Sequence, residues 1–145
     1  MARTLLLIVI VGISTLPNCG CQKTLPATVS GTIRIDGQPL PEGSNIVGEV
    51  MLYPVGGGPA AYGTIGPSGQ YIVQTGEATG LEPGEYKVTV RVAEVPPPPP
   101  GGYKNAPPQK LISPPRYQDR DQTELTADIQ PGPNNIDLDL TSTSR

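Results

Sequence analysis

Two cysteines, Cys19 and Cys21, and no histidine set the chemical limits of this 145-residue chain. Without an imidazole, serine and cysteine triads and histidine-based hydrolysis have no general base. What remains is carboxylate, amine or thiol chemistry. Asp137 and Asp139 stand two positions apart on an alternating stretch, about 7 Å along an extended strand, a spacing open to an acid–base pair of the glycosidase kind. Alternation also puts them on the solvent side, where they read as a solvated polar face. Lys87 is a candidate for a Lys–Asn isopeptide bond of the kind formed in pilin sandwiches. It lies on the polar side of its strand, whereas that bond needs a buried amine. The Gly-rich stretch PVGGGPA precedes no helix, so it lacks the context for holding a phosphate. No loop carries oxygen ligands at the spacing calcium requires, and no cofactor motif is present. Lysines and arginines are scattered over a net charge of −3, which leaves out the basic footprint of a nucleic-acid binder.

The cysteines gain meaning from what precedes them. MARTLLLIVIVGISTLPNCGC has a basic start at Arg3 and an apolar run from Leu5 to Leu16. As a helix that run would span about 18 Å, short of the roughly 30 Å hydrocarbon core, so residues 1–20 read as a signal peptide. Cys21 follows Gly20, as in a bacterial lipobox, and is the candidate lipidation site. Asn18 departs from that pattern, which usually has an aliphatic residue there. Ordinary cleavage and secretion stays open as the alternative. A Cys-x-Cys metal site lacks further cysteine or histidine ligands. Lipid chains on Cys21 would tie the protein to a membrane, stable attachment needing more than one chain. Gln22, where diderm sorting reads Asp as a retention signal, favours the outer membrane.

The rest of the chain must supply the platform. Gly and Pro account for 18 and 19 residues, enough for composition alone to admit disorder. Periodicity argues for strands instead. After a tether at residues 21–26, Val29, Ile33 and Ile35 alternate with Ser30, Thr32 and Arg34, with Gly31 on the apolar side, and Asp36-Gly37 makes a hairpin turn. Val50 and Leu52 point inward on the next strand. Ile65, then Tyr71 and Val73, flank the turn Pro67-Ser68-Gly69, where Gly69 is expected in the left-handed region. Tyr86, Val88, Val90 and Val92 form the most regular strand. Leu125, Ala127 and Ile129, then Ile136, Leu138 and Leu140, flank a Pro-Gly-Pro-Asn turn.

Seven strands and no amphipathic helix predict an all-β fold, a seven-stranded antiparallel-type β-sandwich over residues 27–141 with a tail at 142–145. A hairpin is marginal alone, so the last strands must share the core of the first. Residues 94–122 are then a Pro-rich loop inside one domain. Pro96 to Pro100 predict a polyproline II rod able to shield a strand edge, and KLISPPRY offers Leu111, Ile112 and Tyr117 for docking.

The segments VSGTIRIDGQPLPEG, GPSGQYIV and LEPGEYKVTVRV, in that order, resemble the carboxypeptidase regulatory-like domain, a transthyretin-like β-sandwich. The signal, Cys21 and closing GPNNIDLDL resemble small bacterial envelope lipoproteins built on it. Ile65-Gly66 replaces the Thr-Asp that the family often has before the central turn. The resemblance implies a non-catalytic structural or binding module, with an envelope protein or a glycan as partner and no catalytic residue to carry over. A secreted carbohydrate-binding module, or an accessory domain of an envelope enzyme, is the alternative. It would need an exposed aromatic platform, for which Tyr53, Tyr62 and Tyr103 are the candidates.

Overall fold

The strongest alternation in the sequence, Tyr86 to Val92, becomes the longest strand, and the other strands are arranged around it. A computed structural model describes residues 24–41, 45–97 and 108–142. It holds eleven strand segments in one sheet and, among the described residues, no α-helix. They are β1 (Ala27–Ile35), β2 (Gln38–Pro39), β3 (Ile46–Pro54), β4 (Ala61–Ile65), β5 (Gln70–Thr75), β6 (Ala78–Thr79), β7 (Gly84–Glu94), β8 (Lys110–Leu111), β9 (Thr126–Ile129), β10 (Gly132–Asn135) and β11 (Leu138–Leu140). A short 3-10 turn occupies Pro115–Gln118. The apolar run before Cys21, with Cys21 itself, lies outside the described residues.

The hydrogen-bonded order is β10-β1-β5-β4-β3-β7-β8, with β9 also on the outer side of β7 and β11 also on β1. Most pairs are antiparallel, but β10 and β11 both run parallel to β1. This corrects the expected sequence count and pairing. The count of seven becomes eleven because β2, β6 and β8 are two-residue pairings and the Pro-Gly-Pro-Asn turn is itself strand β10. The last strands form no hairpin: β9 joins β7 while β10 and β11 join β1. Gln130 and Pro131 alone separate β9 from β10 in sequence, so the two ends of the sheet are drawn together and the sheet curls around its core.

Asn134 holds that seam. Its side-chain amide donates to the carbonyls of Gln130 (2.8 Å), Gly132 (3.0 Å) and Thr28 (3.3 Å). Its Oδ1 accepts from the Gln130 amide at 3.0 Å. Between β10 and β11 the chain crosses β1 at Gly31. A Cβ there would stand 1.8 Å from the Ile136 carbonyl oxygen, so only glycine admits the crossing.

The core contains the inward residues that alternation predicts: Val29, Ile33, Val50, Leu52, Ile65, Tyr71, Val73, Tyr86, Val88, Val90, Val92, Ala127, Ile129, Leu138 and Leu140. Leu40, Leu81 and Tyr117 join it from outside any long strand. The predicted turns form as expected. Asp36 (φ 51°) and Gly37 (φ 75°) close the β1–β2 hairpin, and Gly69 has φ 82°.

The segment after the prolines covers the edge of β7 between β8 and β9. Ile112 and Ser113 donate backbone N–H to the Val92 carbonyl at 3.0 and 3.2 Å. Ser113 Oγ accepts from the Val92 amide at 3.0 Å, and Thr123 Oγ1 donates to the Val88 carbonyl at 2.8 Å. Both side chains are buried. Among the described residues this edge is covered by backbone amides and hydroxyls downstream of the proline run, while the run beyond Pro97, where the polyproline II rod is expected, lies outside them. Of the expected docking residues, Tyr117 enters the core and Ile112 packs against it, while Leu111 is exposed.

Candidate functional site

The carboxylates singled out by spacing are already engaged. Asp137 Oδ1 accepts the Thr32 amide and Asp139 Oδ1 accepts the Gly37 amide, each at 2.9 Å. They serve as side-chain acceptors for β1 and its turn, which ties them to the fold rather than to a reacting group. Among the described residues no cluster of three or more acidic or thiol side chains is placed to hold a metal. Lys87 Nζ donates to the Thr123 carbonyl at 3.0 Å, a hydrogen bond to the edge cover.

The tyrosines divide sharply. Tyr71 is buried and its hydroxyl donates to the Ile136 carbonyl at 2.6 Å. Burial, helped by the charge of Asp137, raises its pKa well above the ordinary tyrosine value. Tyr86 donates to the Glu82 carbonyl at 2.7 Å, and its pKa is raised by burial and by Glu82. For Tyr117, burial acts upward, but hydrogen bonds with Thr141 and Arg116 outweigh it and lower the pKa. Tyr53 lies beneath the Arg120 guanidinium, 5.2 Å from the ring centroid, within cation–π range. Tyr103 lies outside the described residues. Only Tyr62 is left as an open ring, 38% exposed, its hydroxyl accepting from Gln74 Nε2.

Tyr62 belongs to a continuous outer face built by register. Residues directly opposite in a ladder point to the same side. Ser30 pairs with Ile72, Ile72 with Thr64, and Thr32 with Gln70; Tyr62 pairs with Gln74 and with Met51. Around Ile72 this gives hydroxyls, amides, one ring and one aliphatic side chain, bounded by Arg34 on the same side of β1 and by Glu49, which pairs with Thr64. Ile72 is 70% exposed, the most open large apolar residue of those described. Charge returns on β3 and β7, where Glu49 faces Arg91. Sequence reasoning named Tyr62 but missed Ile72. Its signal was present, because Tyr71 and Val73 pointing inward leave Ile72 pointing out.

A second feature lies where β1 begins, beside the Thr75 end of β5. A cleft of about 270 Å³ is lined by residues that include Leu25, Pro54, Pro59, Ala78, Glu82 and Tyr86. The first described residues are fixed beside it. Thr24 bridges to Thr79, and the Leu25 amide donates to the Thr79 carbonyl at 2.9 Å. Among the described residues no helix is long and apolar enough to cross a membrane. Comparison of the chain with protein-family models, with curated proteins and with solved structures finds no match.

Proposed function

We propose that this chain is a non-catalytic envelope lipoprotein, anchored through lipid on Cys21 and held at the outer membrane. Its curled sheet is read as a two-layer β-sandwich of the carboxypeptidase regulatory-like, transthyretin-like type, acting as a structural or binding module. The observation that carries the binding role is Ile72, standing open among Ser30, Thr32, Thr64, Gln70 and Gln74 with Arg34 and Glu49 at the margin. Isolated apolar residues are ordinary on surfaces. An exposed Ile near an open Tyr, in an uncharged centre with charges at its rim, is the composition of a contact patch. The engagement of Asp137 and Asp139 by backbone amides supports the non-catalytic reading.

The test is cross-linking in intact envelopes from a photo-reactive residue at position 64, opposite Ile72, followed by mass spectrometry, with Ile72→Glu as the disrupted variant. A cross-linked product lost in Ile72→Glu, at unchanged protein level, supports the module. Identical products from both variants remove this face from the account.

Tyr62 favours a second reading, the secreted or accessory carbohydrate-binding domain. Its ring is held by Gln74 within a field of hydroxyl and amide groups, a setting for stacking a sugar and bonding its hydroxyls. Retarded migration through a gel containing a neutral polysaccharide, abolished by Tyr62→Ala, would select this reading over the first.

A further inference from the structure

The base of the domain, where β1 starts, has a composition suited to one kind of surface. The chain leaves it without slack: Thr24 is bridged to Thr79, the Ala27 amide donates to the Leu81 carbonyl at 3.2 Å, and the Gly132 amide donates to the Pro26 carbonyl at 2.9 Å. Three residue steps separate Thr24 from Cys21. At no more than about 3.6 Å per residue they span about 11 Å. Any membrane that receives lipid from Cys21 is therefore brought close to the base.

Beside this exit the loop joining β3 to β4 projects outward. Val55 at its tip is 55% exposed. A Cβ added at Gly56 or Gly57 would meet nothing within 4 Å, so the tip stands clear of the rest of the protein. It is nonetheless fixed, since the Val55 amide donates to the Glu85 carbonyl at 2.9 Å and the Gly57 amide to the Pro54 carbonyl at 3.1 Å. Leu25, Pro54 and Pro59 line the cleft behind it.

Around this apolar tip carboxylates predominate. Glu82 and Glu85 lie either side of Gly84 at the start of β7, and Asp128 stands opposite Glu85. The described cations here are engaged, Lys87 with the Thr123 carbonyl and Arg120 over the ring of Tyr53, two positions before Val55. An acidic rim repels an anionic lipid surface over about a Debye length, roughly 8 Å at physiological salt, and leaves a neutral one accessible.

We propose that the Val55 loop rests on the zwitterionic headgroup surface of the bilayer that holds the Cys21 lipid, and that the surrounding carboxylates select against anionic lipid. The inference rests on the lipid-anchor reading of Cys21. The contact sets orientation: with the base down, β4 and β5 rise from it, with Tyr62 and Gln74 toward the loop and Ile72 farther along the strand.

The experiment uses the lipidated full chain, purified from membranes, with Val55→Cys carrying an environment-sensitive fluorophore. Signal cleavage removes Cys19 and lipidation consumes the Cys21 thiol, so the introduced cysteine is the reactive one. Ile72→Cys is the control position and Gly56→Cys a second loop variant. Each is placed in phosphatidylcholine vesicles bearing a headgroup-depth quencher, and in vesicles half of whose lipid is phosphatidylglycerol. The expected result is a blue-shifted loop label quenched several-fold more strongly than the Ile72 label, with the difference reduced by phosphatidylglycerol. Equal emission and quenching at positions 55, 56 and 72, in a sample whose intact mass shows the lipid, overturns the docking and leaves the anchor standing. Equal quenching in both vesicle types overturns the charge selection. An intact mass without lipid overturns the anchor reading and this inference together.

Discussion

Replacing Gly31 with alanine tests the crossing of β1 by the C-terminal segment. The added methyl would sit 1.8 Å from the Ile136 oxygen, 2.6 Å from its carbonyl carbon and 3.0 Å from the Tyr71 hydroxyl. Two of those atoms are backbone, so no side-chain rotation relieves the clash, and the crossing has to move. Moving it disturbs the Tyr71 hydroxyl bond to the Ile136 carbonyl (2.6 Å), the Ile136 amide bond to Ser30 (2.8 Å) and the Thr32 amide bond to Asp137 (2.9 Å). At about 0.5–1.5 kcal/mol of net stability each, the loss is about 1.5–4.5 kcal/mol. That is a large part of the roughly 5–15 kcal/mol expected of a domain. With a urea m-value of about 1–3 kcal/mol/M, the unfolding midpoint should fall by an easily measured amount. Gly56→Ala is the matched control, because its Cβ would meet nothing within 4 Å. Urea unfolding followed by far-UV circular dichroism should separate the two variants clearly. Equal midpoints for Gly31→Ala and Gly56→Ala would refute the crossing.

Four further outcomes follow from the same framework. Val88→Asp places a charge at a position 1% exposed and should abolish cooperative thermal unfolding, burial of an unpaired carboxylate being prohibitive; a sharp melt like that of wild type would show the strand is misplaced. Thr123→Val removes the hydroxyl bonded to the Val88 carbonyl and should cost about 1–3 kcal/mol in urea unfolding, the penalty for an unsatisfied buried acceptor. Because the pKa of Tyr71 is raised in the fold, its stability contribution is whole below about pH 10, the unfolded value, and is lost as pH climbs above that toward the folded pKa. Tyr71→Phe, weaker at neutral pH for want of the Ile136 bond, should therefore close its gap with wild type above that point, as read from denaturant midpoints across alkaline pH. Asp36 behaves oppositely: its hydrogen bonds with Ser142 lower its pKa, so its contribution is present above about pH 3.9, the unfolded value, and fades as pH falls below it. The stability difference between wild type and Asp36→Asn should vanish in acid and persist at neutral pH.

The strands built on alternation were readable from residues alone, because one face of each packs on the core and the other meets water. Tyr86 to Val92 and Val29 to Ile33 are such cases, and Asp36-Gly37 and Gly69 were readable because their backbone angles restrict the residue type. Strand β10 was not. Gly132 to Asn135 have turn-forming side chains, and their extended pairing comes from β1 backbone partners more than a hundred residues away in sequence, which local preference cannot register. Leu40 and Leu81 sit between glycines and prolines with no alternating neighbours, so nothing local marks them as core. The roles of Asp137 and Asp139 were hidden for a related reason. Alternation gives their side of the strand but not the amides of Thr32 and Gly37 that they meet there. At the candidate face, Tyr62 was legible as a ring on a polar side. Its neighbours Gln74 and Met51 needed the register of three strands.

The central claim is that β1 and the C-terminal strands beside it form one cooperative body with β7. Native-state amide exchange tests this most directly. The amides of Ala27, Val88, Val92 and Ile136 should share one opening free energy, that of global unfolding. Rapid exchange at Ile136 and Ala27, with Val88 and Val92 still protected, would contradict the account.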